Sequence, residues 1–197
     1  MKHIEDIEDY AHEHHVPIML KSGIEFLLEM VANQGYTRIL ELGTAIGYSS
    51  IRMAKISPLI EIDTIENDPE RAKLAIQNIK DEQLSDRIHV HVMDIFDFET
   101  DKQYDLVFVD AAKAQYYRYM KKFMPNLAEG GVFVFDNLNF HGMVDDLSMT
   151  DNRNTIMMMN KIKRFRDQLQ TEPGLVTQFY PEVGDGVAVV GILPKIV

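Results

Sequence analysis

Five apolar runs of strand length, set between stretches of helical spacing, constrain this chain more than any other feature. The runs are Arg38–Leu42, Glu61–Glu66, Ile88–Met93, Tyr104–Asp110 and Gly131–Asp136. Between them Ser49–Ile56, Pro69–Asp81 and Tyr116–Leu127 carry apolar residues at helical intervals. Alternation of this kind builds a parallel sheet with helices on both faces. "LVFVD" and "FVFD" are apolar almost throughout, as strands covered on both sides should be. The expected fold is therefore α/β, a Rossmann-like sheet wrapped by helices.

Two stretches depart from the alternation. Residues 2–34 read as one or two helices interrupted at "HVPIM", a helical cap over residues 1–35. Beyond the helical segment Asn152–Gln170, "EPGLVTQFYP" and "GDGVAVVGIL" read as two strands joined by a short turn, an antiparallel hairpin at one sheet edge. The 197 residues contain no repeat or linker, so a single domain over 1–197 is expected. The absence of cysteine excludes disulfides and thiolate metal sites. "MKHIEDIEDY" is acidic without an apolar h-region, and no run approaches the roughly 20 residues of a membrane span. A cytoplasmic protein with no membrane partner is expected. A net charge of −11 opposes non-specific binding to nucleic acid but permits a local basic patch.

"ILELGTAIGYSS" carries Glu41 on a strand into the loop Gly43-x-x-x-Gly47, followed by Tyr48 and Ser49. A dinucleotide fingerprint, G-x-G-x-x-G, would seat a pyrophosphate on a helix N-terminus; that spacing is missing here. The ligand that fits is one without phosphates that still needs close approach to backbone. Glu66 ends the second strand in "TIEND", where a carboxylate can accept from two ribose hydroxyls, and Asp94 follows the third strand in "VMDIF". Glycines required only for packing would explain the loop alone. The acids after the next two strands favour a ligand, since open parallel sheets bind at their carboxyl ends.

The fourth strand ends "LVFVDAAK" and the fifth "VFVFDN", so Asp110, Asp136 and Asn137 converge if the two strands are neighbours. Two carboxylates and an amide oxygen are hard ligands, suited to Mg²⁺ or a similar cation. Lys113, three residues past Asp110, shares the site. A dication disfavours a second positive charge beside it, so a lysine there is a candidate general base. Singly, these residues are explained as helix caps, an Asp-Asn turn and a solvated pair. At one sheet mouth they read as a metal centre.

"ILELGTAIGYSS", "TIENDP", "VDAAKAQY", "VFDN" and "GDGVAV", in that order, resemble the motifs of cation-dependent, S-adenosylmethionine-dependent O-methyltransferases of the catechol and caffeoyl-CoA type. "GTAIGYS" and "RNT" at 153–155 are most similar to bacterial enzymes that methylate 5-hydroxyuridine at the tRNA wobble position. The resemblance implies a seven-stranded class I methyltransferase sheet and a homodimer. It implies that Glu41 and Gly43 shape the cofactor loop, Ser49 helps hold the methionine end, and Met19 touches the cofactor through its backbone. Glu66 would hold the ribose, and Asp94 with Ile95 would flank the adenine. Asp110, Asp136 and Asn137 match the metal set, and Lys113 the base, acting with Asp110.

Methyl transfer from a sulfonium is an in-line displacement needing an aligned oxygen nucleophile. Chelation to Mg²⁺ favours ionisation of a hydroxyl, and Lys113 can take its proton. A vicinal oxygen pair suits such a site, and both catechols and 5-hydroxyuridine provide one. The polar segment "HGMVDDLSMTDNRNT" and the lack of tryptophan leave room for a substrate larger than a flat phenol. The expected reaction is conversion of 5-hydroxyuridine to 5-methoxyuridine in the anticodon of tRNA. Arg118, His141 and Arg153 are candidate substrate contacts. Methylation of a small catechol is the alternative. An NAD-dependent oxidoreductase is disfavoured by the missing fingerprint, and a silent binding protein by the Asp110, Lys113, Asp136, Asn137 set. In the long helix Met158, Ile162, Phe165 and Leu169 should form the buried stripe, flanked by Lys161, Lys163, Arg164 and Arg166. Met157–Met159 are expected in core and interface packing, and His12, His14 and His15 facing solvent.

Overall fold

The computed structural model describes residues 4–193. Two helices come first, α1 (Ile4–Glu13) and α2 (Lys21–Gln34), separated at the "HVPIM" interruption. Strands and helices then alternate through β1 (Arg38–Leu42), α3 (Tyr48–Ala54), β2 (Glu61–Glu66), α4 (Pro69–Asp81), β3 (Ile88–Val92), β4 (Tyr104–Val109), α5 (Tyr116–Phe123) and β5 (Leu127–Phe135). The chain continues through α6 (Arg153–Thr171) to β6 (Leu175–Tyr180) and β7 (Val187–Ile192).

Local chemistry sets several boundaries. Asp68 caps α4 by accepting from the backbone N–H of Glu70 and Arg71, with Pro69 opening the helix where its missing N–H costs nothing. Asn152 caps α6 in the same way, accepting from Asn154 and Thr155. Gly35 ends α2 in the left-handed conformation, at φ 67°.

The sheet has seven strands in the order β3-β2-β1-β4-β5-β7-β6. The first five are parallel, whereas β7 runs antiparallel to both β5 and β6. This is the class I methyltransferase arrangement with its terminal hairpin. Alternate residues of the central strands enter two cores. Ile39, Ile62, Leu106, Phe108 and Val134 pack beneath α1–α4; Leu40, Ile65, Val107, Val109 and Phe135 pack beneath α5 and α6. Both faces are covered, which is why these strands are apolar at nearly every position.

Three details correct the sequence-based expectations. Strand β5 begins at Leu127 rather than Gly131, because its register against β4 slips between Tyr104 and Leu106. Gly131 sits in that irregularity, hemmed in by the carbonyls of Tyr104, Asp105 and Ala128. On α6 the buried stripe is Met159, Ile162, Phe165 and Leu169, with Met158 only half-buried and Met157 60% exposed. Helix α5 stops at Phe123, and a single 3₁₀ turn, Met124–Asn126, completes the segment up to β5. His12, His14 and His15 are exposed. Among the described residues, no helix is long and apolar enough to cross a membrane.

Candidate active site

The pairing register brings the chemistry-bearing residues into one row. Leu42 lies opposite both Ile65 and Val109, and Val109 lies opposite Phe135. The next residue on each strand is Gly43, Glu66, Asp110 and Asp136 respectively. The four strands thus end in step, and the residues that follow their last apolar positions line the carboxyl edge of the sheet. A cavity of about 290 Å³ opens there.

The glycine loop forms one wall. Gly43 has φ 101°, and a Cβ there would run into the backbone carbonyl of Asp110. Only glycine allows β1 and β4 to leave the sheet so close together. Glu66 holds the loop from the other side: its Oε2 accepts from the Ala45 N–H (2.9 Å) and its Oε1 from the Asp68 N–H (2.9 Å). Each carboxylate oxygen keeps a second lone pair for a ligand hydroxyl. Asp94 and Ile95 continue the wall beyond β3. Asp94 Oδ1 accepts from the Phe96 N–H at 2.8 Å, which fixes the carboxylate on its turn.

Glu41 is fully buried beneath the loop and does not line the cavity. It accepts hydrogen bonds from the hydroxyls of Ser49, Ser50 and Thr64, and Thr64 Oγ1 lies 2.6 Å from Thr44 Oγ1. Burial pushes its carboxyl up to about 7, against the hydroxyls that favour the carboxylate; the charge of Asp110 adds to the rise. Glu41 thereby fastens the loop and α3 to β1 and β2. Ser49 reaches the cavity, with its hydroxyl committed to Glu41.

At the opposite end lie the candidate metal ligands. Asp136 is fully buried, and its Oδ1 has no hydrogen-bond partner; its Oδ2 accepts from Asn137 Nδ2 at 3.1 Å. Burial pushes the Asp136 carboxyl up to about 7, with the charges of Asp110 and Asp185 adding to it. Asp110 is likewise raised by burial, opposed by Lys113, whose Nζ is 3.9 Å from Asp110 Oδ1. Tyr116, buried on α5, donates to the backbone carbonyl of Asp136 at 3.0 Å and holds the end of β5 in place. Asn137 follows in the left-handed region at φ 58°, a conformation asparagine tolerates.

Asp136 is buried and Asp110 half-buried, both with raised pKa values, and Lys113 sets one positive charge against their two carboxylates. A hard dication fits that deficit, and the unpartnered Oδ1 of Asp136 is a ready donor atom. No three His, Asp or Glu side chains cluster as a metal set among the described residues. The groups at this end that could hold such an ion are the carboxylates of Asp110 and Asp136 and the amide oxygen of Asn137.

Of the residues singled out from sequence, Gly43, Ser49, Glu66, Asp94, Ile95, Asp110, Lys113, Asp136 and Asn137 line this cavity. Met19 does not: it is buried, while its neighbours Pro17 and Ile18 form the wall. Arg118, His141 and Arg153 also lie outside it. Arg118 stacks over the Phe96 ring at 4.3 Å and donates to Gln115. His141 donates its backbone N–H to Asp185 Oδ1 at 2.6 Å. Arg153 is exposed at the start of α6. The structure adds two aromatic wall residues, Tyr48 and Tyr119. Tyr48 follows the glycine loop directly, which was a usable signal; Tyr119 sits on a helix face that only packing selects.

A family model described as O-methyltransferase matches residues 2–192. The chain is 31% identical over 132 residues to a catechol O-methyltransferase of Mycobacterium tuberculosis, a match covering 63% of this chain and 60% of that protein. It thus spans less than two thirds of that relative's length. A crystal structure described as a putative caffeoyl-CoA O-methyltransferase from Staphylococcus aureus superposes with a TM-score of 0.92 at 30% identity, over 98% of this chain and 93% of that one. An O-methyltransferase from Bacillus cereus in complex with SAH shares the fold, with a TM-score of 0.81 at 24% identity over 96% of this chain and 90% of that one. Because the family model extends over almost every residue of the sheet and its covering helices, the chain belongs to the O-methyltransferase family.

Proposed function

We propose that this chain transfers a methyl group from S-adenosylmethionine to a hydroxyl that has a second oxygen beside it, with Mg²⁺ as the metal. The observation that carries the reading is the row Gly43, Glu66, Asp110, Asp136 at the carboxyl edge, ending in a buried carboxylate oxygen without a partner. S-adenosylmethionine supplies a methyl carbon whose bond to sulfur breaks as its bond to the acceptor oxygen forms, and Mg²⁺ supplies the charge that favours the ionised acceptor.

The chain's own groups divide the remaining work. Gly43 lets the cofactor approach bare backbone, and Glu66 accepts from the ribose hydroxyls. Asp110, Asp136 and Asn137 hold the metal. Lys113 Nζ, beside Asp110, takes the proton of the acceptor hydroxyl. Fixing both reactants along one cavity removes the entropy of bringing them into line.

For the acceptor we favour 5-hydroxyuridine at the wobble position of tRNA, giving 5-methoxyuridine. Its O5 and neighbouring C4 carbonyl are the adjacent oxygens the site calls for. Support comes from the "GTAIGYS" and "RNT" resemblances, from the polar segment 141–155, and from the exposed Arg153, a candidate phosphate contact. The similarity to a catechol O-methyltransferase favours a second reading, the same chemistry on a small catechol.

Methyl incorporation from labelled S-adenosylmethionine separates these readings. Transcripts carrying 5-hydroxyuridine are compared with a catechol, each with Mg²⁺ and with chelator. Chelator-sensitive label in the tRNA alone supports the wobble-base reading; label in the catechol alone moves the acceptor to small phenols. Arg153→Ala should weaken tRNA binding while leaving catechol turnover unchanged.

A further inference from the structure

Positive charge is scarce in this chain, whose formal net charge is −11, yet α6 concentrates it. Over Arg153–Thr171 the helix carries Arg153, Lys161, Lys163, Arg164 and Arg166 against a single acid, Asp167. Cations elsewhere are mostly committed, as Arg38 is to Asp105, Lys55 to Glu82, Lys102 to Asp63 and Lys121 to Glu172. Arg166 itself is held by Asp145 at 3.0 Å. Among the described residues, the lysine and arginine side chains with no hydrogen bond, ion pair or ring contact are Arg153, Lys161, Lys163 and Arg164 on α6, and Lys73 and Lys80 on α4.

Helical spacing arranges the α6 group. Arg153, Met157, Asn160 and Arg164 recur at intervals of four, three and four residues, on the side opposite the buried Met159, Ile162, Phe165 and Leu169. Lys161 and Lys163 lie to either side of that ridge, and all of these outward side chains are exposed. At 1.5 Å per residue, Arg153 and Arg164 are about 16 Å apart along the axis, a length over which a nucleic-acid strand carries about five phosphates.

The chemistry of the face selects its occupant. An amphipathic helix binds a membrane through its apolar side, but that side of α6 is buried against the sheet, and the ridge offers one exposed apolar residue, Met157. What matches unpaired cations spread along a helix is a regular row of anions. Helix α6 also packs against the 3₁₀ turn Lys113–Gln115, which carries the candidate base, so a strand lying along α6 has the cavity within reach.

We propose that the outer ridge of α6 docks the phosphate backbone of an RNA acceptor, holding its stem beside the cavity while the reacting base enters. Arg153 and Arg164 mark the two ends of this footprint, and Lys161 and Lys163 its flanks. Such contacts position the RNA without reading its sequence, and they weaken as salt rises. The docking surface rests on the RNA reading of the acceptor given above and adds where that RNA lies.

Fluorescence anisotropy of an anticodon stem-loop RNA titrated with the full chain tests it without turnover. Lys161→Ala combined with Arg164→Ala should raise Kd about tenfold and reduce the slope of log Kd against log salt by about one to two. Both positions are exposed, so binding of S-adenosylhomocysteine should stay within about twofold as the check on folding. Arg164→Lys, which keeps the charge, should also stay within about twofold of the wild type. Lys73→Ala combined with Lys80→Ala removes the two unpaired cations of α4 and should leave the RNA titration unchanged. Equal losses from the α4 and α6 variants, or no loss from the α6 variant, would overturn the docking surface. If the wild type still methylates tRNA carrying 5-hydroxyuridine in that case, the RNA reading stands without it. A wild type that binds phosphatidylserine vesicles but no RNA, or that labels only a catechol, would overturn the RNA reading and the docking surface together.

Discussion

The backbone carbonyl of Asp110 occupies the space that a side chain on Gly43 would need. One contact therefore couples the cofactor loop after β1 to the candidate metal ligand after β4. Gly43→Ala must both relieve that clash and adopt φ 101°. Backbone strain of about 1–3 kcal/mol and overpacking of similar size should lower the melting temperature by roughly 5–15 °C. Gly35→Ala is the control, since Gly35 shares a positive φ but faces open space. Its loss should be markedly smaller, and it should keep binding of S-adenosylhomocysteine. Equal melting temperatures for the two variants would show that Asp110 yields freely.

Asp136→Asn should move stability and activity in opposite directions. The substitution removes a buried charge whose Oδ1 is unpartnered, so the metal-free protein should melt higher at pH 8 than the wild type. Turnover that depends on Mg²⁺ should fall to background. A variant that melts lower would refute the burial argument; one that still turns over with Mg²⁺ would remove Asp136 from the metal set.

Glu41 should make stability fall with rising pH. Its carboxyl in the fold titrates at about 7, above the ordinary value of 4.5, so the folded state favours the protonated form. The corresponding stabilisation is complete below about 4.5 and is lost as pH rises through about 7. Glu41→Gln does not titrate, so the wild-type curve should decline relative to the variant between these limits. Urea unfolding at several pH values checks this, and parallel curves would contradict it.

Lys113→Ala should lower turnover at pH 7.5 by about 100-fold or more, the usual worth of a positioned general base. Part of the loss should return at higher pH, where the acceptor hydroxyl ionises without help. Binding of S-adenosylhomocysteine should be unaffected within about twofold. A pH–rate profile of unchanged shape would assign Lys113 to charge balance with Asp110 instead.

The residues that sequence alone made legible are those whose role follows from position along one strand. An apolar run buried on both faces must end where the sheet meets solvent, so Asp110 and Asp136 were visible as the first polar residues after such runs, and Glu66 as the acid that closes its strand. Gly43 was visible in the same way, as a glycine where a strand gives way to a turn. The hairpin of β6 and β7 also followed from alternation and turn residues.

Tertiary structure decided what depends on which surface lies opposite. Glu41 reads from sequence as a strand residue that shapes the cofactor loop beside a ligand, yet three hydroxyls drawn from α3 and β2 capture it beneath the loop. Met158 and Met159 are equivalent by composition, and packing against the sheet chose Met159. Arg118 looks like a free cation until Phe96, distant in sequence, takes its guanidinium. Tyr119 is one of several tyrosines on α5, and the cavity alone separates it from the others. Strand periodicity sets which residues are buried or reach the sheet edge, because that depends on local geometry. Which side chains then meet there depends on contacts between distant segments, and only the assembled fold supplies those.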